Sequence, residues 1–332
     1  MGGDGAAAPL AKLNALLAEV IGRNPFYTRK WRAAGLKETA VASVEALRRL
    51  PFTTRAELLA DQRAQPPLGT NLTCRPEDYR HFFRSSGTTH APICWADTEE
   101  SWRWVTHCSQ ALHELAGVQP GERVLFALDF GMSSGPWIML EGARRLGCAC
   151  LAASGVEPSE QLRWVQAFHP TVVVAKTGHF LELARTAEAA GLKPATLGVK
   201  KLICTGAPSV CQAAVRAPIE EAWAGACFDR YGLTEAGSVA CECPAHPGGL
   251  HLLETDFIAE VVHPHTRAPV DDGDEGELVL TTLGRTARPV IRYLTGDAVR
   301  LRRAHSCACG RHGALLLGGV RRAPGASAPP AG

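Results

Sequence analysis

No uninterrupted apolar run in this 332-residue chain reaches the roughly 18–20 residues that a membrane-crossing helix requires. An excess of one charge is also missing. There are 35 Lys and Arg against 33 Asp and Glu, and the net +2 gives a nucleic-acid polyanion little to hold. The opening MGGDGAAAPLAKLNALLAEV lacks the basic start of a signal peptide, and Lys12 and Glu19 interrupt its apolar stretch. No self-similarity at a period of roughly 20–50 residues marks a solenoid or a propeller. Hydrophobic residues at 46% and charged residues at 20% exclude wholesale disorder. The expectation is a soluble, cytoplasmic protein of one large domain or two, with no nucleic acid and no membrane among its partners.

Cysteine, by contrast, is abundant: there are 12. A chain this long needs no disulfide staples, and without a secretory leader the thiols are expected to stay reduced. Cys108, Cys148, Cys150, Cys204 and Cys211 lie in apolar surroundings and read as small core residues.

Leu10, Leu13, Leu16, Leu17, Val20 and Ile21 recur at helical spacing and Asn24-Pro25 ends that helix. Pro51-Phe52-Thr53-Thr54 with Glu57 reads as a threonine-capped helix start, so residues 1–75 form a mostly helical N-terminal section. Over 76–245, β-branched runs at Val124–Leu128, Thr171–Ala175 and Lys201–Thr205 alternate with helical stretches. The helices are expected at Glu99–Ala116, Trp137–Leu146, Ser159–Phe168 and His179–Ala190. That alternation predicts an α/β core, a parallel sheet with helices on both faces. His251–Val262, Gly276–Thr282 and Ile291–Arg302, separated by turns such as Asp271-Asp272-Gly273-Asp274, predict a small antiparallel β region over 246–317. Residues 318–332, rich in Ala, Pro and Gly from Arg321 onward, are expected to be a disordered tail.

Three turns carry polar chemistry. Ser85-Ser86-Gly87-Thr88-Thr89 sets hydroxyls around a glycine and can turn them, with backbone N–H groups, toward a phosphate. An ordinary polar loop has the same composition, and no Gly-Lys-Ser/Thr follows to make a Walker loop. Asp229-Arg230-Tyr231-Gly232-Leu233-Thr234-Glu235 places a carboxylate beside a hydroxyl after a glycine turn. That suits magnesium on a triphosphate with Tyr231 against a base, or simply an acidic turn. Asp297, in Arg292-Tyr293-Leu294-Thr295-Gly296-Asp297, is an acceptor of the kind ribose hydroxyls need.

Together and in this order, the three turns resemble the adenylate-forming superfamily of acyl-CoA synthetases and adenylation domains, and within it the phenylacetate–CoA ligase family. Weaker likeness at Thr205-Gly206-Ala207-Pro208, Gly276–Leu283 and Cys307-Ala308-Cys309-Gly310-Arg311 extends the resemblance over about residues 10–320. It implies the large N-terminal domain of the adenylate-forming fold and ATP-dependent activation of a carboxylic acid, an aromatic one. The carboxylate attacks the α-phosphorus to give an acyl-adenylate and pyrophosphate. A thiol, of coenzyme A or of a carrier protein, then takes the acyl group.

On that pattern Ser85, Ser86, Gly87, Thr88 and Thr89 cradle the β- and γ-phosphates, and Gly206, Ala207, Pro208 and Tyr231 frame adenine beside Asp229 and Gly232. Thr234 touches the α-phosphate, Glu235 binds magnesium and Asp297 holds the ribose; Glu235, Thr234 and Thr88 are the catalytic candidates. Phe130, Gly131, Met132, Ser133, Trp137 and Ala207 would wall the acid pocket, although Phe130 and Trp137 equally suit a core. Cys243, His251, Cys307 and Cys309 make a Cys₃His set sufficient for the structural zinc that several relatives carry. Cys241 and His246 are competing ligands, and unmetallated thiols are the other reading.

Three departures from the family pattern stand out. His90-Ala91 follows the first turn where relatives have Gly-Lys. Gly318-Gly319-Val320-Arg321-Arg322 stands in place of a hinge Gly-Arg-x-Asp-Asp. Relatives then continue into a mobile C-terminal domain whose lysine serves adenylation, whereas the last lysine here is Lys201. The chain thus resembles an adenylation domain without its lid. Two functions are expected to compete: an acid–thiol ligase, its activity limited to adenylation or completed by a separate lid subunit or a homodimer, and a catalytically impaired nucleotide- and acid-binding subunit or sensor.

Overall fold

A computed structural model describes residues 4–36, 40–85 and 92–323. Helices α1 (Asp4–Val20), α2 (Pro25–Ala33) and α3 (Arg55–Ala64) form the helical part of the N-terminal section. Asn24 caps α2 by accepting from the Tyr27 N–H, with Pro25 as the first helical residue. Thr54 and Glu57 close a reciprocal capping box on α3. The hairpin β1 (Tyr79–Arg84) and β2 (Cys94–Thr98) stands apart from the main sheet.

Strands and helices then alternate: α4 (Glu99–Leu115), β3 (Arg123–Ala127), α5 (Ser134–Arg145), β4 (Ala149–Ala152), α6 (Pro158–Phe168), β5 (Val172–Lys176), α7 (Thr177–Ala189), β6 (Lys201–Thr205) and α8 (Ala213–Trp223). The rest is nearly all strand: β7 (Ala226–Leu233), β8 (Gly237–Glu242), β9 (Gly249–Leu252), β10 (Phe257–Val262), β11 (Glu275–Thr282), β12 (Tyr293–Ser306) and β13 (His312–Arg322). These strands form one 11-stranded sheet in the order β10-β11-β12-β13-β9-β8-β7-β6-β5-β3-β4. Its β4-to-β7 half is parallel. Every pairing from β7–β8 onward is antiparallel.

The continuous apolar runs of the parallel strands are explained by two cores, one on each face. Successive side chains alternate between faces, so Val124, Phe126, Val172 and Val174 join one cluster while Leu125, Ala127, Val173 and Ala175 join the other. Among the described residues no helix is long and apolar enough to cross a membrane, and all the cysteines are free thiols.

Two expected boundaries shift. The division near 245 falls inside the sheet, because β8 and β9 are hydrogen-bonded neighbours with Cys241 opposite His251. The β-rich part therefore continues the α/β sheet. Residues 318–322, expected in a tail, belong to β13, where Arg321 pairs with Glu275 and Arg322 with Asp297. The remainder of that tail, 324–332, lies outside the described residues.

The packing of α4 on the sheet buries His113 completely, with Nε2 donating to the Met139 carbonyl at 2.9 Å. Burial and then the Arg230 guanidinium push its pKa down to about 3. A histidine depressed on folding contributes stability that is whole above its unfolded value near 6.5 and is lost as pH falls below it. Between about pH 6.5 and about pH 5 the loss should be roughly 2 kcal/mol. Urea unfolding of His113→Gln should show a correspondingly shallower decline over that range. Parallel slopes in the variant and the parent would contradict the assignment.

Candidate functional site

The site begins with an N-terminal graft onto the sheet. The Thr53 N–H donates to the Arg292 carbonyl at 2.9 Å, and its own carbonyl accepts from Leu294 N–H at 2.9 Å. This bridge alongside Tyr293 fixes where α3 starts and sets Arg55 at its first turn. Arg55 reaches Glu235 Oε1 with Nη1 at 2.6 Å and Ser85 Oγ with Nη2 at 3.1 Å. The end of β1 and the β7–β8 turn are thereby tied through one guanidinium.

The second and third turns lock each other reciprocally. Tyr231, on β7, donates to Asp297 Oδ2 at 2.7 Å, and Tyr293, on β12, donates to Glu235 Oε1 at 3.0 Å. Each motif's tyrosine thus holds the other motif's carboxylate. Arg322 gives Asp297 a second donor at 2.9 Å. Glu235 and Asp297 are 4% and 5% exposed. Burial raises the Asp297 pKa, Arg322 opposes the rise, and the charge of Glu235 adds to it.

Two features shape the β7–β8 turn. A Cβ on Gly232 would lie 2.5 Å from the Gly237 carbonyl oxygen, so the close approach of these two strands demands glycine. Arg285, fully buried and bidentate on Asp97 at 2.7 and 2.5 Å, donates to the carbonyls of Thr234 and Glu235 at 2.8 and 3.0 Å. A buried ion pair therefore clamps the backbone that presents Glu235, leaving Thr234 half-buried beside it.

Gly206, Ala207 and Pro208 follow β6, and Gly206 takes a φ of +83°, which suits glycine. Asp229 does not offer an open carboxylate. It is buried, accepts from Ser209 Oγ, and has a pKa raised by burial. Its place is to hold the 206–211 loop, since Ser209 Oγ also accepts from Cys211 N–H at 3.1 Å. Ser86, Gly87, Thr88 and Thr89 of the first turn lie outside the described residues.

The acid-pocket candidates sit in the β3–α5 connection. Phe130 is buried and meets Trp137 edge to face at 5.0 Å, while Met132 is 64% exposed. The Met132 carbonyl accepts from Arg84 N–H at 2.8 Å, which brings this loop beside the start of the first turn. An open groove of about 480 Å³ next to it is lined by Phe82, Phe83, Trp102 and Trp137. Of the candidate pocket residues only Trp137 lines it, so that groove is not the expected pocket.

At the far end of β8 and β9, Cys243, His251, Cys307 and Cys309 place one donor atom each within 4.8 Å of all the others. Burial pushes the Cys243 thiol up to about 12 and His251 down to about 4, so the imidazole is neutral. Three sulfurs and one neutral nitrogen fit tetrahedral zinc. Cys241 is buried but stands outside this group.

Sequence reasoning missed Arg55, Tyr293, Arg285 and Arg322. Tyr293 lies inside a motif already singled out, and Thr54 and Glu57 mark the helix start beside Arg55. Arg285 gives no local signal, because its partner Asp97 is 188 residues away.

The family model for AMP-binding enzymes matches residues 20–285. The phenylacetate–coenzyme A ligase of Thermus thermophilus is 31% identical over 302 residues, 90% of this chain and 66% of that protein. The Escherichia coli ligase of the same name is 31% identical over 280 residues, 83% of this chain and 62% of its own length. Among solved structures, 2-hydroxyisobutyryl-CoA ligase in complex with its acyl-AMP and CoA superposes with a TM-score of 0.91 at 26% identity, covering 97% of this chain and 68% of that one. The chain thus spans 62–66% of the length of these two curated relatives. It belongs to the AMP-binding enzyme family and, within it, is similar to the phenylacetate–CoA ligases.

Proposed function

We propose that the chain activates a carboxylic acid, of the aromatic class, by adenylation with ATP, and that the acyl group passes to a thiol such as that of coenzyme A. The observation that carries this reading is the reciprocal lock of Tyr231 on Asp297 and Tyr293 on Glu235. It ties together two buried carboxylates from distant segments, one in the β7–β8 turn and one on β12.

Asp297 would accept from the ribose hydroxyls, and Gly206–Pro208 with Tyr231 would border the adenine. Glu235 and Thr234 would sit at the phosphates. One carboxylate with substrate phosphate oxygens is the usual protein share of a magnesium site, and the metal supplies charge neutralisation there. Arg55, between Glu235 and Ser85, adds a cation at the phosphate end, where His90-Ala91 replaces the usual Gly-Lys. The acid oxygen attacks the α-phosphorus and the bond to pyrophosphate breaks. Thiolate then attacks the acyl carbon and AMP departs. The Phe130–Trp137 pair supports a flat apolar acid, and Cys243, His251, Cys307 and Cys309 would hold a structural zinc.

Acid-dependent exchange of labelled pyrophosphate into ATP tests the reading, across a panel of aromatic and small acids, with the chain alone and with a candidate lid subunit. Exchange with an aromatic acid supports it. ATP binding without exchange under any condition would instead favour a non-catalytic binding subunit.

Asp297→Asn gives a finer test. Hydrogen bonds to a charged acceptor are worth about 1.5–3 kcal/mol, so ATP affinity should fall roughly 10- to 100-fold. Because folding raises this carboxyl's pKa, parent affinity should climb as pH rises through it and the acceptor ionises. The asparagine variant should lose that climb. A carboxylate with a raised pKa destabilises the fold once ionised, so the variant should melt no lower than its parent. Equal affinity in both, measured by calorimetry across the acid range, would remove Asp297 from the ribose site.

A further inference from the structure

We infer a second metal site, formed by His246, His305 and Cys307, that shares the Cys307 thiolate with the Cys₃His set and makes the whole a thiolate-bridged dinuclear centre. The donor atoms of these three residues also lie within 4.8 Å of one another. Cys307 is the one residue common to both groups. The inference rests on the zinc reading above for its first metal, and goes beyond it in stoichiometry and in the roles of the two histidines.

Three observations besides proximity favour a ligand there. His305 Nε2 is buried and has no hydrogen-bond partner. A buried ring nitrogen without a partner is costly and commonly marks an unfilled role. The backbone is irregular just before it: the β12–β13 register shifts between Arg302 and His305, and Ala304 takes a φ of +50°. A bulge of this kind re-aims the following side chain, here toward Cys307 and His246. Finally, a Cβ on Gly249 would lie 2.5 Å from His246 Cδ2 and 2.9 Å from its Nε2. Glycine at 249 leaves room for the imidazole in this position, where it meets the His305 ring at 5.0 Å.

The donor chemistry selects the metal class. Two imidazoles and a thiolate suit zinc and its relatives rather than magnesium or calcium. The first site alone, three thiolates around a dication, carries a net charge of −1. A second dication on the shared sulfur reverses that to +1 and gives His305 Nε2 a partner. It also ties the 243–248 turn to the end of β12, so both metals would cross-link the antiparallel half of the sheet.

The full chain, stripped with a chelator under reducing conditions, is titrated with zinc and in parallel with cobalt, and bound metal is counted by mass spectrometry. Two equivalents are expected for the parent. One is expected for His305→Gln and for His246→Gln, with the thiolate-to-cobalt absorption of the first site retained. Loading with isotopically enriched cadmium should give two resonances coupled through the bridging sulfur in the parent and one in either variant. A single equivalent in the parent, unchanged in both variants, overturns the second site and leaves the Cys₃His zinc standing. Two equivalents persisting in both variants also overturns it, and no bound metal sinks both readings.

Discussion

Replacing Glu235 with glutamine is expected to lower acid-dependent ATP–pyrophosphate exchange by about 10²–10³-fold, the loss typical when one preorganised charge-stabilising group is removed. Glutamine keeps the side-chain shape and can still accept from Tyr293 OH, now 3.0 Å from Oε1, and from Arg55. What disappears is the negative charge that a magnesium–triphosphate complex would use. The expected pattern is therefore chemical: kcat falls, the melting temperature shifts little, and the dependence on magnesium concentration flattens. An unfolded variant would show in the melting curve. A folded variant with parent-like exchange and magnesium dependence would remove Glu235 from the metal site.

Arg285→Met should destabilise the fold by about 3–5 kcal/mol, the cost of leaving one partner of a buried ion pair unpaired. Both side chains of the Arg285–Asp97 pair are 0% exposed, so water cannot solvate the orphaned carboxylate. The two carbonyls of Thr234 and Glu235 also lose their donor, which should loosen the turn that carries Glu235 and reduce exchange even in molecules that remain folded. Methionine roughly matches the volume of the lost side chain, so a cavity adds little. The double variant Asp97→Asn with Arg285→Met should recover part of the stability, because the orphaned carboxylate is neutralised, and only part, because the buried Arg288 guanidinium loses the charge of Asp97 beside it. Denaturant unfolding checks both. A loss below about 1 kcal/mol for the single change would show the pair to be solvated like a surface bridge.

The α/β half was legible because its signals are local. Buried β-branched runs such as Val172-Val173-Val174 and amphipathic helices such as Glu99–Leu115 state their own periodicity. The end of β13 was hidden because Gly318 and Gly319, which take positive φ, lead into an Ala-, Pro- and Gly-rich stretch and were expected to belong to a disordered tail. Its strand character comes from pairing with β9 and β12, which no local pattern encodes. The same split runs through the site. Tyr231, Glu235 and Asp297 stand in motifs, whereas Arg55 becomes part of the site only through the Thr53–Tyr293 bridge. Asp229 was placed with the adenine frame by its position in the motif, because sequence shows a residue's type but not that Ser209 donates to it. The Cys₃His group was readable from its donor types. His305 was not, because it is re-aimed by a bulge.

Titration of the purified chain with ATP by calorimetry, with and without magnesium, bears most directly on whether these turns form a nucleotide pocket. Saturable binding of one ATP per chain is expected, tightened by magnesium in the parent, and with that tightening lost in Glu235→Gln. A well-folded chain showing no heat of binding at millimolar ATP, with magnesium present, would contradict it.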